Sequence, residues 1–334
     1  MKRMVVTGSS GFVGSHLTRG LAERGDEVIA LDVAAPRKPF ESERVRTMQG
    51  DLRDLDTLKR AVEGADTVFH VASRVQTRGH GADEVFAINV GGTRKLIEAC
   101  KAANVPRFVY VSSASVVYDG KDIERGDERL PYPSHFHAPY AETKAIAEKE
   151  VLEENAKGAL ATCSIRPHVV FGPGDMRFFP AILARAKTGR LKAYVGDASK
   201  LSDFTYIDNL VHGLMLAADK LEVKGPLGGQ AYFVTNGEPV PFWDFIGRVL
   251  DGLGYARPKF RVPYPIAYGA AAVRETIDAL TGATPTEDRF SRFTIRYLTT
   301  HHYFDHGKAT RDFGYAKQVS IDEGIARTLA TLKN

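Results

Sequence analysis

Tyr140 and Lys144 are the pair in this sequence with the plainest chemical meaning. In Tyr140-Ala141-Glu142-Thr143-Lys144 a separation of four places phenol and ammonium on one helical face. A free phenol titrates near about 10, and a neighbouring cation stabilises the phenolate and draws that value toward neutrality. Tyr140 can then serve as general acid or base toward an alcohol or a carbonyl. Such a spacing also arises as an ordinary amphipathic surface pair, and two other features set this one apart. The first is Ser112-Ser113-Ala114-Ser115, directly after the apolar run Arg107-Phe108-Val109-Tyr110-Val111. A hydroxyl at a strand's carboxyl end points into the ligand crevice of an α/β sheet and can polarise a reacting oxygen. Ser113 is the expected donor. Ser112 and Ser115 are the alternatives, read as a turn hydroxyl and a backbone-capping hydroxyl.

The second feature is Thr7-Gly8-Ser9-Ser10-Gly11-Phe12-Val13-Gly14, between a first strand and an amphipathic helix. Gly8 permits a tight turn, Gly11 lets the backbone approach a pyrophosphate, and Gly14 lets the helix pack closely on the strand. Backbone N–H groups around Ser10, Phe12 and Val13 and the helix dipole then face the phosphates. A glycine triplet alone is a common turn, but here it opens a βαβ unit, the context dinucleotide binding requires. Asp32 closes the second strand 18 residues after Gly14, placed to accept hydrogen bonds from ribose hydroxyls and to repel a 2′-phosphate. NAD is the expected cofactor over NADP; Arg37 and Lys38, in the following loop, are either solvated charges or the groups that would favour a phosphate there.

The elements that must position these residues read as a doubly wound parallel α/β sheet of the Rossmann type, with a smaller C-terminal substrate domain. The expected strands are Met4–Thr7, Glu27–Asp32, Val45–Gly50, Thr67–Val71, Arg107–Ser112 and Ala161–Arg166. Helices are expected over Phe12–Arg24, Leu55–Val62, Glu84–Ala103 and Tyr140–Glu154. Beyond about residue 170, Gly172-Pro173-Gly174, Pro239-Val240-Pro241 and Pro263-Tyr264-Pro265 point to short elements and loops. The expected division is a cofactor domain over 1–170 with returning segments around 200–235, and a mainly substrate-binding domain over 171–334.

Composition is that of an ordinary globular protein: 334 residues, net charge +4, 43% apolar and 26% charged. It excludes a disordered tail, a collagen-like repeat and a disulfide framework, since the only cysteines are Cys100 and Cys163. A cytoplasmic location is expected. No run approaches the roughly 20 apolar residues that span a bilayer, and scattered charges argue against nucleic acid as a partner. His301, His302 and His306 lack a Cys or a paired carboxylate in sequence, and no metal is expected there. Tyr264–Leu280 is apolar on one face and reads mainly as packing within the protein, with peripheral membrane contact as the lesser alternative.

Together TGSSGFVG, Asp32, SSAS, YAETK and Arg166-Pro167-His168-Val169-Val170-Phe171-Gly172-Pro173-Gly174 resemble the extended short-chain dehydrogenase/reductase family. Within it, Ser112–Gly120, Glu128–Tyr132, Asp203–Asn209 and His302–Asp305 look most like the 3β-hydroxysteroid dehydrogenase branch, especially its sterol-4α-carboxylate 3-dehydrogenases (decarboxylating). The resemblance covers nearly the whole chain. It implies catalytic roles for Ser113, Tyr140 and Lys144, with Lys144 also on the nicotinamide ribose. It further implies that Asp51 and Leu52 meet the adenine, that Val71, Ala72 and Ser73 run along the cofactor, and that Pro167 to Val169 touch the nicotinamide. Asn89 matches the family's supporting asparagine, its alternative being a residue that bends the helix.

The function so implied is NAD-dependent oxidation of the 3β-hydroxyl of a sterol or steroid, with loss of a C4 carboxylate as CO2 where one is present. A basic side chain is then expected near that carboxylate, and the sequence does not show which one. The enzymatic alternatives are a 2-alkyl-3-ketoalkanoate reductase and a sugar-nucleotide epimerase or dehydratase; the other class is an NAD-sensing or scaffold protein. The partner expected is an apolar small molecule. His135 and His137 are expected to border its pocket, and the Glu84–Ala103 and Tyr140–Glu154 helices to form a homodimer interface.

Overall fold

The computed structural model describes residues 1–76, 82–175, 178–281 and 291–333. Its central sheet comprises β1 Arg3–Thr7, β2 Glu27–Asp32, β3 Val45–Gln49, β4 Thr67–His70, β5 Arg107–Val111, β6 Ala161–Arg166 and β7 Gln230–Phe233. The order is β7-β6-β5-β4-β1-β2-β3, and every pairing is parallel. Unbroken apolar runs account for this: Met4, Val5, Val6, Val68 and Phe69 are fully buried and β6 is buried along its length, as strands covered on both faces must be. The strand order reverses between β1 and β4, so the crevice opens beyond Thr7 and His70.

Helices α1 Phe12–Glu23, α2 Leu55–Val62, α3 Gly92–Ala102, α4 Pro139–Ala156 and α5 Ile207–Lys220 cover the sheet. Leu17 and Leu21 of α1 share one apolar cluster with Leu210 and Leu214 of α5. On the other face Leu58, Leu96, Cys100 and Val151 bring α2, α3 and α4 together.

The helix expected over Glu84–Ala103 runs without a break from Ala82 to Ala102, but it contains a π-helical turn at Ala87–Gly91, between Ala82–Phe86 and α3. The cause is Asn89, which turns in to the backbone of Arg74, donating to its carbonyl at 3.0 Å and accepting from its N–H at 2.7 Å.

The later chain supplies short strands. Val240–Pro241, Leu201–Ser202, His302–Phe304 and Ile123–Gly126 form a small sheet in that order. Two helices beside it, α6 Tyr264–Thr281 and α7 Arg292–Leu298, bear on the site. Helix α6 packs on the protein as expected, but through a different set of residues. Tyr264, Ala267, Tyr268 and Ala271 face the protein, whereas Ile266, Val273 and Leu280 are 64%, 62% and 82% exposed. The buried stripe thus runs through tyrosines and alanines, and the large aliphatics lie on the opposite side. Among the described residues no helix is long and apolar enough to cross a membrane.

Candidate active site

Gly8 takes a left-handed conformation (φ 70°), and a Cβ there would lie 2.7 Å from the Ala72 Cα, so only glycine lets the β1 turn pass this close to the end of β4. A Cβ on Gly14 would meet the Gly8 carbonyl oxygen at 2.0 Å, which is how closely α1 is drawn onto the turn. Gly11 caps α1 with no side-chain acceptor, leaving first-turn N–H groups without intrahelical partners. Asp32 pins the loop: its Oδ2 accepts from the Ser10 N–H at 2.9 Å and its Oδ1 from the Ala34 N–H at 3.0 Å. Each oxygen keeps a lone pair for a ribose hydroxyl. This donor and acceptor set fits a dinucleotide. Arg37 and Lys38 are exposed and line a cleft of about 790 Å³ beside α1, together with His16 and Phe40 but without Asp32 or Ala72. Asp51 is engaged by Arg53, whose hydrogen bonds hold the carboxyl below its usual range, and Leu52 packs against Gly92.

A buried relay stands behind this loop. The Ala72 N–H donates to Thr7 Oγ1 at 3.2 Å, and the Thr7 hydroxyl to His70 Nδ1 at 2.8 Å. His70 Nε2 then donates to Thr93 Oγ1 at 2.8 Å, and the Thr93 hydroxyl to the Asn89 carbonyl. The order of donors requires a neutral imidazole, and burial pushes the His70 pKa down to about 3. One chain of hydrogen bonds therefore joins the cofactor strand to Asn89. The Asn89 amide also donates to Thr143 Oγ1 at 3.0 Å, reaching the first turns of α4.

Helix α4 carries Tyr140 in its first turn and Lys144 one turn on. The Tyr140 N–H donates to the Gln76 carbonyl, tying the helix start to the segment after β4. Lys144 is buried; its ammonium donates to the Val111 carbonyl at 2.6 Å and sits 4.4 Å over the Tyr110 ring centre. Burial pushes its pKa down to about 7, and Glu148 acts in the opposite direction. Glu148, one further turn along, is held by Arg166 at 2.6 Å, Ser164 at 2.6 Å and Tyr132 at 2.7 Å. Burial works to raise its carboxyl, yet Arg166 and these hydrogen bonds hold it below the usual range. Glu148 was not singled out from the sequence, although it is the next residue on the Tyr140–Lys144 face; its partner Arg166 lies 18 positions on, at the end of the following strand β6.

Of the three serines, Ser113 is half-buried and Ser112 and Ser115 are buried. The capping role expected of Ser115 belongs to Ser113, whose Oγ accepts from the Ser115 N–H at 3.2 Å and the Ser115 hydroxyl at 2.9 Å at the start of the 3₁₀ turn Ala114–Val117. Accepting twice leaves the Ser113 proton free to donate toward the crevice. Ser112 Oγ is buried without a hydrogen-bond partner, so it does not act as a turn hydroxyl.

Pro167 accepts from the Ala114 N–H at 2.9 Å, linking the nicotinamide-side segment to the serine turn. Val169 sits at φ 33°, a costly conformation for a β-branched residue. His168 between them donates from Nδ1 to the Asp203 carbonyl at 2.7 Å and accepts at Nε2 from the Tyr297 hydroxyl. Burial pushes its pKa down to about 4. Tyr297 stacks on His302 with ring centres 4.0 Å apart and stands edge-on to Tyr118 at 5.1 Å. Phe136, Phe293 and Tyr297 remain partly open against the Ala114–Val117 turn, an apolar wall that no local pattern revealed. The histidine group also divides. His302 joins this wall, while His301 lies with Asp122 and Glu124, a grouping on the small sheet that sequence spacing could not show.

The sheet, its glycine turn and the acidic end of β2 define a dinucleotide-binding protein of the Rossmann class. The chain belongs to the 3-beta hydroxysteroid dehydrogenase/isomerase family, whose pattern matches residues 5–264, and is an oxidoreductase acting on CH–OH groups. It is similar to the sterol-4-alpha-carboxylate 3-dehydrogenase, decarboxylating, of Mus musculus, 38% identical over 333 residues covering 98% of this chain and 90% of the relative. The 2-alkyl-3-oxoalkanoate reductase of Stenotrophomonas maltophilia is 38% identical over 331 residues, covering 98% and 99%. Among solved structures, the dTDP-glucose 4,6-dehydratase of Streptomyces venezuelae with NAD bound is 25% identical, with a TM-score of 0.77 over 99% of this chain and 97% of that one.

Proposed function

We propose that this protein oxidises the 3β-hydroxyl of a sterol or related apolar secondary alcohol to the ketone with NAD, and that a carboxylate on the adjacent carbon, where present, leaves as CO2. The observation that carries this reading is the conjunction of Ser113, Tyr140 and Lys144 with the aromatic wall of Phe136, Phe293 and Tyr297. Tyr140 takes the hydroxyl proton. Ser113 donates to the same oxygen and holds it. Lys144 stabilises the phenolate and binds the nicotinamide ribose. Gly8, Ser10, Gly11, Phe12, Val13, Gly14 and Asp32 hold the pyrophosphate and adenine ribose, Asp51 and Leu52 the adenine, and Val71 to Ser73, Pro167 and Val169 the rest. NAD, when bound, supplies the hydride acceptor. In a β-keto acid product the C–C bond to the carboxylate breaks, its electron pair passes to the ketone oxygen as an enolate, and a proton then completes the ketone.

The test is NADH formation with a 4α-carboxy-3β-hydroxysterol, a plain 3β-hydroxysterol and a long-chain 3-hydroxy acid. Turnover of a sterol is expected, and Tyr140→Phe is expected to lower kcat by at least about 100-fold, the range of general acid–base catalysis. Full turnover in that variant overturns the mechanism. The reductase alternative has the support of the Stenotrophomonas maltophilia relative, and a preference for the 3-hydroxy acid would select it.

A further inference from the structure

Arg296 lies on α7, beside Tyr297 of the aromatic wall. Among the described residues its guanidinium meets neutral groups: Nη1 is 3.3 Å from His137 Nε2, Nη2 is 3.4 Å from the Tyr268 hydroxyl, the Tyr268 ring centre is 5.5 Å away, and the Tyr264 hydroxyl also accepts from it. His137 Nε2 is also 3.1 Å from the Asp119 carbonyl. One nitrogen cannot donate to that carbonyl and accept from Arg296 together, so the shorter contact takes His137 away from Nη1 and leaves the guanidinium with phenol hydroxyls as its acceptors. Among the described residues no carboxylate lies within ion-pair distance of Arg296. Its neighbours differ: on the same helix Arg292 pairs with Glu275 at 2.5 Å, and on α6 Arg274 pairs with Asp278 at 2.9 Å.

Room for this guanidinium is built into the backbone. Gly120 takes φ 93°, and a Cβ there would lie 2.8 Å from Arg296 Nη1 and 2.7 Å from His137 Nε2. The flanking groups lead to the reacting centre. His137 is three residues before Tyr140, and Tyr118, whose ring Tyr297 meets edge-on, follows the turn that Ser113 caps. A fork of donors held by phenols and an imidazole, with no acid to neutralise it, is suited to receive a planar anion from the ligand.

Resting on the function proposed above, we infer that Arg296 is the specificity residue that receives the substrate's carboxylate, making the preferred substrate class an apolar alcohol with a carboxylate one carbon from the carbinol. That feature is common to the names of both relatives described, a sterol-4-alpha-carboxylate dehydrogenase and a 3-oxoalkanoate reductase, whose skeletons otherwise differ.

The experiment compares a 4α-carboxy-3β-hydroxysterol with its methyl ester on the full chain with NAD, in wild type, Arg296→Gln and Arg296→Lys. Both kcat/KM and calorimetric affinity are read as acid-to-ester ratios. Loss of one charge-assisted pair should lower both ratios on the order of 10–100-fold in Arg296→Gln, mostly through KM, with partial recovery in Arg296→Lys. Ratios unchanged in both variants overturn the inference. If neither compound yields NADH, the proposed function fails, and the calorimetric ratio still decides the role of Arg296. If Arg296→Gln does not fold, as judged by its melting curve, Arg296→Lys decides: an acid-to-ester ratio equal to wild type overturns the inference, and a lowered one supports it.

Discussion

At the scale of single residues, Lys144 couples the site to stability. Burial pushes its pKa down to about 7, against 10.5 for the free side chain. Below about pH 7 folded and unfolded chains both carry the proton, and the full cost of burying the charge applies. Between about 7 and 10.5 the folded chain has lost the proton and the unfolded chain keeps it, so this residue's contribution rises with pH. Without NAD, the Tm of wild type should gain from this source between pH 6 and pH 9, and Lys144→Met should lose that part of the slope while abolishing turnover. Calorimetric scans across that range check it; identical slopes in the two proteins would refute the assignment. The three serines show how far residue types carry. Their crevice position was legible, but which one is half-buried depends on the turn that Ser113 itself caps.

At the scale of elements, α4 is fastened to β6 by Glu148 and Arg166, which are nearly solvent-free and share the Tyr132 hydroxyl. Removing one partner strands a buried charge. Glu148→Ala should destabilise the protein by about 3–5 kcal/mol, read from urea unfolding, and shift the helix that carries Tyr140 and Lys144. The glycine turn makes an equally specific demand. In Gly14→Ala the added methyl would meet the Gly8 carbonyl, so α1 must move outward, at a cost of about 1–3 kcal/mol. NAD affinity, measured by titration calorimetry, should fall at least about tenfold, equivalent to about 1.4 kcal/mol; unchanged affinity would show that the helix approach is not needed for binding. Strand β7 at Gln230–Phe233 was not read as a strand, but the other six of the seven central strands were legible to within a residue because their extended runs leave little freedom. The π-turn at Ala87–Gly91 was not, because its cause is a hydrogen bond from Asn89 to a segment 15 residues away.

At the scale of the whole molecule, the outward aliphatic face of α6 contributes little to the folded core. Ile266→Ser and Leu280→Ser should each leave the free energy of urea unfolding within about 0.5 kcal/mol of wild type, as exposed substitutions usually do; a loss above about 2 kcal/mol would mean that the face is covered in solution. By itself the sequence determined the parallel sheet, the phosphate turn, the acidic end of β2 and the Tyr140–Lys144 pair, because each is encoded within a few residues by strand periodicity, glycine geometry or helical spacing. Only the tertiary structure decided that α7 would set Tyr297 against the turn after Ser113 and Arg296 beside His137. It alone placed Arg166 under Glu148 and turned the large aliphatic residues of α6 away from the core. Arg296 meets His137 across 159 positions, and the other arrangements depend on which side chain or face a neighbouring element covers; neither a local period nor a motif carries that information.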